Sequence, residues 1–282
     1  MKKGVYIAIV SVLAVALLGS ALYLFSYFWQ GKKSEDAYDK LRNDMTSSTG
    51  EAPTETIPPE TQPEGTDDFI PDPNDTTPEE TYPLNVDYKG FYEKNPNKDF
   101  VGWLRMEGTK IDYPVMQSSV DNANYYLYRD YYGNNSTRGS IYVREECDVF
   151  TPGDNVTMYG HHMKDGSMFA ALAAYTDKSA WDNNSLIFFD TFNHETGEVQ
   201  YHTYKIFAVF KTTANLGEGF TYQRFENAAN KEEFDKFVST CKQLSFYDTG
   251  LTPQYGDKMI CLSTCEYTLD NGRLVVAAVR IS

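Results

Sequence analysis

Residues 4–29 run 26 positions without a charge, mostly Val, Ile, Leu, Ala and Phe. A helix of that length, at ~1.5 Å per residue, is longer than the ~30 Å hydrocarbon core of a bilayer. Tyr23, Tyr27 and Trp29 stand at its far end, where an interfacial aromatic belt belongs. The alternative is a cleaved signal peptide, whose apolar region is usually only ~7–15 residues. Leu18-Gly19-Ser20-Ala21 offers small residues but no clean cleavage pattern. Residues 1–30 therefore read as an uncleaved membrane anchor. Lys2 and Lys3 before the run are matched by Lys32 and Lys33 after it, so these charges do not set its orientation. The acidic, folded remainder favours an N-terminus that stays inside.

Charge divides the rest of the chain. The 282 residues carry 25 Lys plus Arg against 40 Asp plus Glu, a net −15. Phosphate contacts need clustered cations, so a nucleic-acid partner is excluded. Residues 31–83 hold 14 acids and four bases, and eight of the chain's 12 prolines lie between Gly50 and Pro83. Such a segment lacks the apolar residues to repay ordering entropy. It predicts an extended acidic spacer over 31–83, with residues 34–45 (SEDAYDKLRNDM) forming a short juxtamembrane helix.

From residue 84 the texture is globular. Residues 87–95 predict a short helix. Strand-like runs come next at 100–106, 109–116, 140–143, 155–159, 186–190, 199–212, 258–264 and 273–281, rich in Val, Ile, Tyr and Phe and separated by Gly, Asn and Asp turns. About eight short strands in ~200 residues suggest a closed barrel or a sandwich. Helical inserts are predicted at 167–175 and at 227–244, the second with Phe234, Phe237, Val238 and Cys241 on one apolar stripe. The fold class is mainly β: a barrel decorated by helices.

The reactive residues are few: four His (161, 162, 194, 202) and four Cys (147, 241, 261, 265). Two contexts stand out. Met158-Tyr159-Gly160-His161-His162 leaves an apolar strand through a glycine, which lets the next side chain turn into a cleft. Neighbouring His on extended backbone point to opposite faces, so the pair would not serve one site. A hydrogen-bonded structural histidine is the plainer reading of either. In the second, Met259-Ile260-Cys261-Leu262-Ser263-Thr264-Cys265 ends a strand, then comes a polar turn Leu269-Asp270-Asn271-Gly272, and Arg273 opens the next strand. Antiparallel pairing would set Arg273 beside Cys265, where a cation favours the thiolate and can donate to an oxyanion. Against this stands a buried, inert Cys265 with Arg273 as a surface charge. The residues alone leave both readings open.

A resemblance bears on that choice. From about Asp87 to Ser282 the chain resembles class B sortases, the cysteine transpeptidases of Gram-positive surfaces. The match rests on Gly160-His161 after a strand, on Leu262-Ser263-Thr264-Cys265 and on Arg273. It is extended by Asn97-Lys98-Asp99-Phe100-Val101-Gly102-Trp103-Leu104, Ile111-Asp112-Tyr113-Pro114-Val115 and Arg138-Gly139-Ser140-Ile141-Tyr142, with the helix at 227–244 where class B members insert one. The resemblance implies a closed sortase-type barrel at 84–282. It implies Cys265 as nucleophile on the Thr carbonyl of a C-terminal sorting signal, similar to the Asn-Pro-x-Thr-(Asn/Gly/Ser) signals of the class. His161 becomes acid and then base, and Arg273 the oxyanion and substrate holder. Ser263, Thr264 and Glu266 become substrate contacts. The acceptor is an amine of a peptidoglycan precursor or a pilin Lys. His162 matches no required role.

No cofactor is implied: there is no phosphate-cradling glycine loop and no recognised metal-ligand spacing. Cys261 and Cys265, four apart on one strand, are ~13 Å apart and beyond disulfide reach. Cys147 with Cys241 is open but unsupported. Two other readings stay beside the transpeptidase: a surface cysteine hydrolase of the same fold, and a catalytically silent surface-binding domain.

Overall fold

The computed structural model describes residues 3–47, 86–215 and 217–282. Its centre is a closed barrel. Eight strands, β1 (Phe100–Arg105), β2 (Asp112–Met116), β3 (Ile141–Val143), β4 (Asn155–Tyr159), β5 (Leu186–Phe192), β7 (Thr203–Thr213), β8 (Met259–Glu266) and β9 (Gly272–Arg280), lie in the order β1-β2-β3-β4-β8-β9-β7-β5. A β1–β5 pairing closes the ring, so no edge is left along it. The two-residue β6 (Val199–Gln200) adds to β5 outside the ring. The expected strand over 199–212 is thus interrupted at Tyr201-His202, where the His202 carbonyl still accepts from Phe189 N at 3.0 Å.

Alternation along the strands divides the core. Ile206, Val209, Ile260, Leu262, Leu274, Val276 and Ala278 face the main interior, while Phe207, Phe210, Cys261, Val275 and Ala277 face a second cluster outside the ring. Helix α4 (Lys231–Leu244) covers that second cluster with Phe234, Phe237, Val238 and Cys241, spaced as one helical stripe. Its start is written in the sequence: Asn230 accepts from Glu233 N, and Glu233 reaches back to Ala229 N, a reciprocal cap. This places the helix start at Lys231 rather than at the expected 227. The insert expected at 167–175 is a 3-10 segment, Phe169–Thr176. The short α3 (Lys178–Asn183) just after it was not predicted, and Asp177 caps it at Ser179 N.

The N-terminal helix departs most from expectation. α1 runs unbroken from Lys3 to Ser47, through the residue where the anchor was expected to end. Over its N-terminal half Leu13, Leu17, Phe25 and Trp29 are more than half exposed. Over its C-terminal third Tyr38, Leu41 and Met45 are buried in the barrel's own core cluster. Fully burying one such side chain contributes roughly 1.5–3 kcal/mol. Tyr38 donates to Gly139 O at 2.7 Å, Glu35 meets the buried Arg138 at 3.9 Å, and Asp44 accepts from Asn95 beyond α2 (Tyr88–Lys94). Gly31 keeps the helix close: a Cβ there would sit 3.2 Å from Arg138 Nη2. Residues 34–45 are helical as expected, but docked rather than free. The proline-rich part of the expected spacer, 48–83, lies outside the described residues. Met45, Thr46 and Val86 line one small pocket, so the chain leaves α1 and re-enters at Val86 from neighbouring points.

Asp190 on β5 lines the same pocket. Tyr88 donates to its Oδ2 at 2.6 Å, and among the described residues Oδ1 has no hydrogen-bond partner. Burial pushes its carboxyl from 3.8 up to about 8. Between those values the folded chain keeps a proton that the unfolded chain has released, so stability falls as pH rises through the window. We expect Asp190→Asn, which keeps an acceptor for Tyr88 but does not titrate, to flatten this loss of a few kcal/mol, read as melting temperature against pH from 5 to 8.

Candidate active site

Three strand ends meet at one mouth of the barrel. β4 and β8 are parallel, with Tyr159 opposite Ser263, so both release their next residues at the same end. β8 and β9 are antiparallel, and Cys265 is the direct cross-strand partner of Arg273. The topology therefore brings His161, Cys265 and Arg273 to a cleft of about 230 Å³, whose wall also includes Ser263 and Thr264.

Each member is held by its surroundings. Gly160 N donates to Ser263 O at 3.2 Å, and Thr264 Oγ1 donates to Gly160 O at 2.7 Å, which fixes the β4 exit to β8. Glycine is required by close approach here: a Cβ at 160 would lie 2.5 Å from Ile141 Cδ1 and 2.8 Å from the Phe169 ring. The His161 carbonyl accepts from Phe169 N at 3.0 Å, and its ring Nε2 lies 2.8 Å from Leu127 O. A carbonyl only accepts, so Nε2 carries the proton and Nδ1 is the nitrogen left for exchange. The Tyr128 ring packs 5.5 Å from the His161 ring. Arg273 Nη1 donates to Asn271 O and Gly272 O, at 3.2 and 2.9 Å, which anchors one side of the guanidinium to its own turn. We expect Gly160→Ala to cost roughly 1–3 kcal/mol through overpacking and to lower activity more than a neutral surface change does, measured by thermal denaturation alongside turnover.

Cys265 is the only one of the four cysteines that is not buried. Burial pushes the Cys147 thiol up to about 11 and raises those of Cys241 and Cys261 well beyond the ordinary thiol range. Those three are packing residues. A thiol that reaches solvent beside a guanidinium, with an imidazole on the adjoining strand exit, has the groups needed for nucleophilic acyl transfer.

Not every expected residue joins the cleft. Ser263, buried, pairs its hydroxyl with Tyr222 at 2.5 Å, and burial pushes that phenol up to about 12 although the Ser263 bond opposes it. The Thr264 hydroxyl is spent on Gly160 O. Glu266 is not among the residues lining the cleft. Along β8 it alternates with Cys265, and its carboxylate takes Lys211 at 2.9 Å, Thr268 Oγ1 at 2.8 Å and the Thr268 and Leu269 amides. Burial works against ionisation, but these donors hold its carboxyl down at about 2. It braces the β8–β9 turn, and strand alternation was the signal for that placement. The walls missed by sequence reasoning include Asn124, Leu127, Tyr142 and Tyr222, from segments far apart in the chain. Tyr142 donates to Asn124 Oδ1 at 2.9 Å, which ties two of them together.

A barrel with this thiol, imidazole and guanidinium at one mouth defines a cysteine-dependent acyl-transfer enzyme. Comparison with known proteins makes the class specific. A family profile described as the Sortase domain matches residues 104–281. Sortase B of Listeria monocytogenes is 38% identical over 182 residues, covering 64% of this chain and 69% of that protein. Among solved structures, sortase B from Bacillus anthracis in complex with AAEK1 superposes with a TM-score of 0.65 at 26% identity, covering 90% of this chain and 99% of that one. The Staphylococcus aureus sortase B–substrate complex gives 0.59 at 28%, over 69% and 86%. The chain belongs to the sortase family, on its class B branch, and is a sortase transpeptidase.

Proposed function

We propose that this protein is a membrane-anchored transpeptidase that cleaves a C-terminal sorting signal after Thr and joins the new carboxyl end to an amine at the cell surface. The observation that carries the reading is the direct pairing of Cys265 with Arg273 beside the His161 strand exit. Cys265 Sγ attacks the Thr carbonyl carbon as the thiol proton passes to His161 Nδ1. Arg273 donates to the oxygen as it becomes negative. The C–N bond breaks, His161 gives its proton to the departing amine, and a thioester on Cys265 remains. An incoming amine then attacks the thioester carbon and gives its proton to His161. The C–S bond breaks, and Sγ leaves as a thiolate that takes the proton back from His161 Nδ1, which restores the starting thiol and neutral imidazole. The Leu127 carbonyl, bonded to Nε2, fixes the ring and stabilises the imidazolium that forms within each half.

The substrate class rests on the resemblance to class B enzymes and on the S. aureus relative solved as a substrate complex. The acceptor is a peptidoglycan precursor amine or, in a pilus-building setting, a pilin Lys. Membrane attachment rests on α1, a helix long and apolar enough by length and composition to cross a membrane. The catalytic barrel then lies outside the cell, against the membrane surface.

The test uses the full chain in detergent micelles, because residues 38, 41 and 45 of α1 belong to the barrel's core. Sorting-signal peptides are added with and without an amine, and intact mass spectrometry follows the protein. A thioester adduct whose product shifts from acid to amide on adding the amine is expected. Acid at every amine concentration would instead mark a hydrolase, and a folded protein without adduct or product would point to a binding domain.

A further inference from the structure

Behind the His161 wall lies a second and larger cavity, about 750 Å³, between α1 and the loop that precedes β3. Its volume falls within the range of small-molecule pockets, about 300–1,000 Å³. It shares a wall with the active site: the 3-10 segment Tyr125–Tyr128 turns Leu127 into the catalytic cleft and Tyr128 into this cavity. The Tyr128 ring, 59% exposed, is the one that packs on His161.

The lining chemistry selects the ligand. Tyr128 and Tyr132 are exposed, and Asn134, Asn135, Ser136 and Thr137 line the cavity with them. The Asn135 and Thr137 side chains have no hydrogen-bond partner among the described residues. Asn135 offers both donor and acceptor, and Thr137 a hydroxyl that does either. Anionic ligands are disfavoured: among the described residues Lys33 is the single cation in the lining, with Asp36 and Asp130 as acids. The Asp130 carboxylate is already engaged by the Tyr132 and Asn134 amides and the Asn134 side chain. A purely apolar occupant would strand the amides and hydroxyls. Flat tyrosine rings alongside neutral donors and acceptors suit a ligand with C–H faces and many hydroxyls, which is a saccharide.

Position says which saccharide. Lys33, Ser34, Asp36 and Ala37 form the α1 side of the cavity, only four to eight residues beyond Trp29. At ~1.5 Å per residue the cavity begins roughly 6–12 Å past the end of the apolar run. A glycan seated there is at the membrane surface, on the far side of Tyr128 from the nitrogen that must deprotonate the incoming amine. We infer that this cavity is a subsite for the sugar of the amine acceptor, so that the acceptor is held by its glycan while its amine reaches round Tyr125–Tyr128 to the thioester. The inference rests on the transpeptidase reading and deepens it.

Binding is tested apart from chemistry. Full chain carrying Cys265→Ala, in nanodiscs, is titrated calorimetrically with a soluble disaccharide–stem peptide bearing a free amine, and with the same peptide lacking sugar. The sugar-bearing probe is expected to bind more tightly. Asn135→Ala with Thr137→Ala, exposed loop changes outside the catalytic cleft, should weaken it about tenfold, the loss expected for one or two neutral hydrogen bonds. The sugar-free peptide should be unaffected by them. In enzyme that retains Cys265 the same pair should raise KM for the sugar-bearing acceptor alone, with the rate of thioester formation unchanged. Equal binding of the two probes, or sugar binding that survives the double substitution, overturns the inference. Failure of thioester formation with glycan binding intact would overturn the transpeptidase reading instead.

Discussion

Cys265→Ala is expected to abolish thioester formation and to lower turnover by on the order of 10⁴-fold or more, the scale for removing a covalent nucleophile. The fold should hardly respond. Cys265 is partly exposed at a strand end, and its sulfur fills no packed cavity. Its backbone pairing with Arg273 does not depend on the side chain. A stability change under about 1 kcal/mol corresponds to a melting shift within roughly 2–4 °C for a domain of this size. Cys261→Ala provides the contrast. That side chain is fully buried under α4, so its loss should lower the melting temperature while leaving the adduct in place. Intact mass after incubation with a sorting-signal peptide reads the first property, and thermal denaturation the second. An adduct that persists on Cys265→Ala, or moves to Cys261, would remove Cys265 from the mechanism.

The Cys265–Arg273 pair was legible in the sequence because it is local. Arg273 follows Cys265 by eight positions across a Leu-Asp-Asn-Gly turn, and strand periodicity does the rest. The strands themselves were legible from their Val, Ile, Tyr and Phe content, and α4 from its stripe. What sequence reasoning could not supply is the partnership of β4 with β8. Those strands lie about a hundred residues apart, and their parallel register, Tyr159 opposite Ser263, is what carries His161 to the thiol. Such non-local pairing is fixed by closure of the whole ring, not by any segment of it. The resemblance carried the three residues together, while the geometry explains how they meet. The docking of α1 was missed for a related reason. Tyr38, Leu41 and Met45 are spaced as an amphipathic stripe, but they sit in a strongly charged stretch that reads as solvated. Glu266 was misplaced by its adjacency to the nucleophile. Counting by twos along β8 sends it to the other face, where Lys211 waits.

Arg273→Ala should be the second large loss, about 10²–10³ in kcat, the scale for removing one preorganised donor to an oxyanion. Geometry gives the reason. Asn271 O and Gly272 O take Nη1, which pins the guanidinium at the position opposite Cys265. A planar fork with five N–H donors can be anchored on one side and still offer N–H groups on another. Lysine cannot do both: its ammonium is a point charge on a flexible stem, and holding the turn carbonyls would take it from the cleft. We therefore expect Arg273→Lys to recover little of what Arg273→Ala loses, even though the charge is kept. If the role were only to hold the sorting signal in the ground state, KM would rise and kcat would stand. Steady-state kinetics on one peptide with both variants separates these outcomes. A kcat that is unchanged in Arg273→Ala would take the oxyanion role away from this residue. A full recovery by lysine would show that charge near the thiolate, not the fork, is what the site requires.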